Sequence, residues 1–116
     1  MKESQFSKLV TKYLQEKGAL VTNIAGGSNY QRVGVSDLLV CYKGHFIALE
    51  LKVGTYSPDP LQLSYLLQVR NSGGIGIILR DTIDELETIL YLIDNNAISE
   101  YRQHEIKIGL EEIIFD

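Results

Sequence analysis

The chain has 116 residues, 45% hydrophobic and 22% charged, with a net charge of −4. Those values fit one domain with a real core, and no apolar run is long enough for a membrane span. No signal-peptide pattern opens the chain, and Cys41 is the only cysteine, so an internal disulfide is excluded and a reducing, cytoplasmic setting is expected.

Taken in chain order, the elements alternate. Phe6, Leu9, Val10, Tyr13 and Leu14 form the apolar stripe of an amphipathic helix, with Gly18 as its stop. Ala19 to Ile24 suits a first strand, and Gly26 to Gly34 a loop rich in Gly, Ser and Asn. Gly34 to Tyr42 reads as a second strand, Lys43-Gly44 as a tight turn, and His45 to Val53 as the returning strand. Asp59-Pro60 opens a helix with an N-cap and a proline at its first position, running to Gly73-Gly74. Ile75 to Arg80 is a strand, and Asp81 is expected to cap a helix reaching about Asp94. The remainder is ambiguous: a short helix, then a strand or helix around Ile106 to Ile114.

Charge is distributed unevenly. Residues 1–80 hold nine Lys and Arg against five Asp and Glu, whereas residues 81–116 hold two against ten. A negative total therefore does not exclude a phosphate backbone as partner of the first part.

The hairpin is the informative region. If Tyr42 pairs with His45, Asp37 falls opposite Glu50, with Cβ atoms about 4.5–5.5 Å apart. Opposed carboxylates repel, and a divalent cation between them reverses the sign, because Mg²⁺ prefers hard oxygen ligands. Lys52 shares the face of Glu50 and lies diagonal to Asp37. Both faces of the hairpin are otherwise apolar. Leu39, Cys41, Phe46 and Ala48 accompany Asp37, while Leu38, Val40, Tyr42, Ile47, Leu49 and Leu51 lie opposite. Such strands are expected between helices on both sides, with Cys41 packed inside. Charges there need a partner or a metal.

The bland readings differ by residue. Asp37 could cap a loop, Glu50 could sit on an edge strand, and Lys52 could simply pair with them. Glu3 could be a first-turn carboxylate favoured by the helix dipole. Gln62 stands three residues after Asp59, the spacing of a capping box. Tyr65 leans to core. His45 is expected at an exposed turn, and His104 has no partner pattern. One cysteine and two distant histidines make no zinc set. Gly26-Gly27-Ser28 lacks the lysine of a phosphate loop.

The order helix–strand–strand–strand–helix–strand, with Gly34-Val35-Ser36-Asp37 before Glu50-Leu51-Lys52, Pro60-Leu61-Gln62 and Gly73-Gly74, resembles the PD-(D/E)XK nuclease superfamily. The resemblance is closer to one branch, the VRR-Nuc domain in its small stand-alone phage and bacterial form. It spans roughly residues 3–90 and leaves an acidic extension of about 96–116. Ser36 stands where many members have proline, which removes no ligand. The resemblance implies an α/β restriction-endonuclease-like αβββαβ core, a central mixed sheet flanked by helices, in a single domain. It implies Mg²⁺ or Mn²⁺ held by Asp37, Glu50, the Leu51 carbonyl and Glu3, with Lys52 orienting the attacking water and Gln62 beside the site. The reaction expected is DNA phosphodiester hydrolysis leaving a 5′-phosphate and a 3′-hydroxyl. Similarity to Holliday-junction resolvases implies branched DNA and a homodimer. Lys8, Lys12, Arg32, Lys43 and Arg70 are candidate phosphate contacts. The competing expectations are a catalytically silent DNA-binding module of this fold, a flap or generic nuclease needing a partner protein, and an accidental match in an interaction protein.

Overall fold

A computed structural model describes residues 1–24 and 36–108. Their elements follow the expected order: α1 (Glu3–Glu16), β1 (Leu20–Asn23), β2 (Leu38–Tyr42), β3 (His45–Lys52), α2 (Pro60–Asn71), β4 (Ile75–Arg80) and α3 (Asp84–Asp94). A 3₁₀ turn over Ile98–Glu100 comes after α3. The four strands form one sheet in the order β1-β2-β3-β4, antiparallel up to β3 and parallel between β3 and β4.

The hairpin takes the expected register, Tyr42 against His45, because Lys43 (φ 47°) and Gly44 (φ 85°) both adopt the left-handed conformation of a type I′ turn. The ladder is shorter than expected. Its last pair is Leu38 with Leu49; Ser36 and Asp37 lie beyond it, and Gly34 falls outside the described residues. β1 and β3 are likewise trimmed by a residue or two relative to the sequence reading, and α2 stops at Asn71.

Alternation along β2 and β3 sorts the core. Leu38, Val40, Tyr42, Ile47, Leu49 and Leu51 point to one face, where Phe6, Val10 and Leu14 of α1 and Leu86, Ile89, Leu90 and Ile93 of α3 cover them. Leu9, placed in the stripe by sequence, is exposed. On the second face α2 covers β3 and β4, through Leu66 and Val69 over Ala48. The approach is close: a Cβ on Gly76 would lie 2.6 Å from the Leu66 carbonyl oxygen, so only glycine fits.

α2 lies mainly over β3 and β4 and leaves the β1–β2 half of the second face partly open, with Leu39 only partly buried against its cluster, which corrects the expectation of two fully covered faces. Leu20, Cys41 and Phe46 pair in a row across three strands on that open half, and all three are exposed. Cys41 is therefore not a packing residue. Asp81 is not a helix cap either. It adopts φ 64° and accepts from the Gly54 N–H at 2.9 Å, while the Thr82 hydroxyl accepts from Asp84 N–H at the true start of α3.

The outer edge of β4 would expose unpaired backbone groups. The segment after the 3₁₀ turn covers them without forming a strand. Gln103 accepts from Gly76 N–H at 2.9 Å and donates to the Gly74 carbonyl at 3.2 Å; His104 Nε2 faces Ile78 N–H at 3.5 Å. His104 thus has partners that its sequence context did not reveal. No helix among the described residues is long and apolar enough to cross a membrane.

Candidate active site

The site sits where β3 outruns β2. Glu50 is fully buried on the α2 face of β3, and neither of its carboxylate oxygens has a hydrogen-bond partner among the described residues. Lys52 Nζ lies 3.3 Å from Glu50 Oε2 and 3.6 Å from Glu3 Oε1. Asp37 reaches across from the start of β2, and its Oδ2 accepts the Leu51 N–H at 2.9 Å. The Asp37 carbonyl accepts from Ile24 N–H at 2.9 Å, which ties its backbone to the end of β1. Sequence places these residues for a simple reason. The turn fixes the register, and the register carries Asp37 to the end of β3.

The electrostatics are unfavourable as they stand. Burial pushes the Glu50 carboxyl up to about 8, and the Asp37 charge pushes in the same direction. The pull of Lys52 and of the Asp37 backbone N–H opposes this, but neither is aligned as a hydrogen bond and neither overcomes burial. Burial also pulls the Lys52 ammonium down, yet the carboxylates of Glu50, Glu3 and Asp37 together hold it above its ordinary value. Lys52 therefore stays charged at neutral pH.

A divalent cation fits this donor set. The orphaned oxygens of Glu50 are the kind of buried acceptors that demand a proton, a donor or a cation. Leu51 adds a third oxygen. Its N–H faces the β2 edge at Asp37, and a strand residue's carbonyl lies on the same edge as its N–H, so the Leu51 carbonyl also points past the end of β2. Among the described residues, no three His, Cys, Asp or Glu side chains cluster as a metal set, so Asp37 and Glu50 stand as a pair. Glu3 is half-exposed and touches the pair only through Lys52.

The remaining candidates divide. Gln62 forms the capping box: its Oε1 accepts from Asp59 N–H at 3.0 Å, while Asp59 accepts from Leu61 N–H. Lys8 and Lys12 are exposed on α1 and line one groove with Leu9, Tyr13, Glu16 and Ile83. Lys43 is at the far end of the hairpin, bonded to Asp94 at 2.6 Å, which removes it from the site. Arg70 is also committed: Nε donates to the Gly76 carbonyl at 2.8 Å and Nη1 to the His104 carbonyl at 2.6 Å. Lys43 and Arg70 are thus both engaged within the fold. Arg32 and the loop around it lie outside the described residues. Tyr65 is half-buried against the Leu66 cluster, near the core placement expected, and His45 is half-buried instead of exposed.

Sequence reading missed the loop after Lys52. Arg80, the ladder partner of Lys52, donates to the carbonyls of Gly54 at 2.7 Å and Tyr56 at 2.8 Å. Its position at the end of β4, level with the Glu-x-Lys strand, was the available signal.

No family model matches the chain, and no curated protein is similar to it in sequence. Solved structures do resemble it. A structure described as a VRR_NUC domain is 24% identical, with a TM-score of 0.60 over 77% of this chain and 94% of that one. Hjc, a Holliday junction resolvase from Archaeoglobus fulgidus, is 14% identical, with a TM-score of 0.51 over 66% of each chain. These likenesses bear out the expected fold, an α/β αβββαβ core with a four-stranded mixed sheet.

Proposed function

We propose that the chain is a Mg²⁺- or Mn²⁺-dependent DNA endonuclease selective for branched DNA, acting as a homodimer in the cytoplasm of a bacterium or a phage-infected host. The observation that carries this reading is Glu50: a fully buried carboxylate whose two oxygens accept no hydrogen bond from the described residues, beside Asp37 and ion-paired with the Lys52 ammonium. A binding module gains nothing from such a group, whose burial is costly unless something compensates it.

Asp37, Glu50 and the Leu51 carbonyl would hold the cation, with Glu3 adjoining through Lys52. When bound, a divalent cation supplies charge relief at the phosphate and acidifies an attacking water. Lys52 contributes a fixed positive charge and three donors. Held by Glu50 and Glu3, the ammonium can orient the water or stabilise negative charge developing on the phosphate oxygens. Gln62, at the α2 N-terminus, keeps its amide nitrogen for a water or phosphate once its oxygen has capped the helix. Lys8 and Lys12 are the surface cations best placed to follow the backbone, along the helix that begins at Glu3.

The likeness to a junction resolvase supports branched DNA as substrate, and paired incision needs two sites at fixed separation, which a two-fold dimer provides. A cleavage panel of duplex, flap, single-stranded and four-way DNA with Mg²⁺ and Mn²⁺ tests the reading, with light scattering for mass. Cleavage of four-way DNA by a dimer is the expected result. A monomer that cuts linear and branched DNA equally would leave a generic nuclease. No cutting at all, with Mn²⁺ bound, would leave the silent module.

A further inference from the structure

β3 leads into a loop, residues 53–58, that is fastened from the neighbouring strand. Arg80 Nη1 holds the carbonyls of both Gly54 and Tyr56. Asp81 accepts from the Gly54 N–H, and its own N–H donates to the Lys52 carbonyl at 3.1 Å. Gly54 at φ 61° and Asp81 at φ 64° bend the two backbones toward each other. Backbone on both sides of the loop is thereby fixed. Tyr56 is nevertheless 72% exposed, and its hydroxyl has no partner among the described residues. The fastened loop holds the ring in water, four positions beyond Lys52.

We propose that Tyr56 is a stacking platform for an unpaired nucleobase beside the phosphate to be cut, and so a specificity-determining residue. The proposal rests on the nuclease reading and narrows its substrate to DNA with unpaired or frayed nucleotides next to the cleavage point. A base inside continuous duplex has both faces covered by its neighbours and offers nothing to an exposed ring. A base at a branch, flap or single-stranded stretch has a free face, and stacking on an aromatic side chain accepts any base. The Arg80 and Asp81 bonds reduce the ordering cost of that contact, because the loop is already held when DNA arrives.

The chain contains no tryptophan, so Tyr56→Trp supplies a single fluorescent reporter at the position in question. On rapid mixing, before turnover, its emission is expected to be quenched by gapped, flapped or single-stranded DNA and unchanged by blunt duplex of equal length. Tyr56→Ala is expected to raise KM for the unpaired substrates on the order of tenfold, with kcat at saturation and KM for blunt duplex unchanged. Tyr56→Phe should behave as wild type. Equal quenching by duplex, no quenching by any DNA, or an alanine variant with wild-type KM on unpaired substrates overturns the proposal while the nuclease reading stands. Failure of that reading shows differently, as a wild-type protein that cuts none of these DNAs with either metal.

Discussion

The two ends of the β2–β3 hairpin carry the same kinds of residue and treat them in opposite ways. At the turn, Asp94 accepts from the Tyr42 hydroxyl at 2.7 Å and from Lys43 Nζ at 2.6 Å, and Lys43 also lies 5.4 Å from the centre of the Tyr42 ring. Those bonds, Lys43 foremost, hold the Asp94 carboxyl below its ordinary value. At the other end, Glu50 is buried without a hydrogen bond and its carboxyl is pushed up to about 8. The first carboxylate is stabilised in its charged form by the fold; the second is destabilised in that form by the same fold. A charged group that the protein's own partners satisfy needs no ligand. One that they leave unsatisfied marks the place where a ligand improves the free energy, and strain of this kind collects at functional sites.

The contrast is broken most severely by changing Asp37. Asp37→Asn is expected to abolish cleavage, by about a thousandfold or more, because it removes one of the two carboxylates proposed to hold the cation. The same change should raise the metal-free melting temperature, because it removes one of the two charges that face each other. Cleavage assays and metal-free calorimetry on one sample read both effects. Wild-type rates in Mg²⁺ would show that the site is misassigned, and a fall in metal-free stability would make Asp37 a structural cap, as its bond to Leu51 N–H allows.

Lys52→Ala should come next, with turnover falling about a hundredfold or more while Mn²⁺ still binds. Lysine is no ligand for a hard cation, so calorimetric binding and catalysis should separate. Loss of both, together with folding, would mean that Lys52 chiefly neutralises Glu50.

The raised Glu50 value sharpens the comparison through pH. A carboxyl at 4.5 when unfolded and about 8 when folded binds more protons in the folded state between those values. Its contribution to stability is fully present below 4.5 and is lost as pH rises through about 8. Metal-free protein should therefore lose up to a few kcal/mol across that window, and saturating Mn²⁺ should flatten the profile by favouring the ionised carboxylate. A metal-free stability that rises over the same range would contradict a Glu50 whose burial outweighs its ion pair with Lys52.

How much of this was legible in the sequence depends on how local the cause was. Register followed from two residues, Lys43 and Gly44, whose left-handed conformations admit one turn type, and register placed Asp37, Glu50 and Lys52 together. The Asp59–Gln62 capping box was readable from its spacing. Coverage was not local. Whether Cys41 is buried depends on how far α2 extends across the sheet, and no periodicity records that. The fates of Lys43 and Arg70 were hidden for the same reason. Lys43 meets Asp94 51 positions away, and Arg70 meets His104 34 positions away as well as Gly76 across the helix–strand turn, so each looked like a free cation. Asp81 misled because Asp before an apolar run imitates a cap, whereas its carboxylate had been claimed by Gly54 across the sheet.

The turn end yields the smallest effect, and the comparison depends on its being small. Asp94→Ala removes the acceptor shared by Tyr42 and Lys43 at a position open to solvent. Water can replace it for both donors, so the expected outcome is a slight fall in melting temperature. Cleavage and Mn²⁺ binding should match wild type, because the hairpin register is set by the turn backbone and not by this carboxylate. The Tyr42 hydroxyl, held above its ordinary value mainly by its bond to Asp94, should move back toward that value, which ultraviolet titration can follow. If Asp94→Ala instead impaired turnover, the two ends would be coupled through the strands. The contrast between a satisfied end and an unsatisfied one would then fail as a guide to where the chemistry lies.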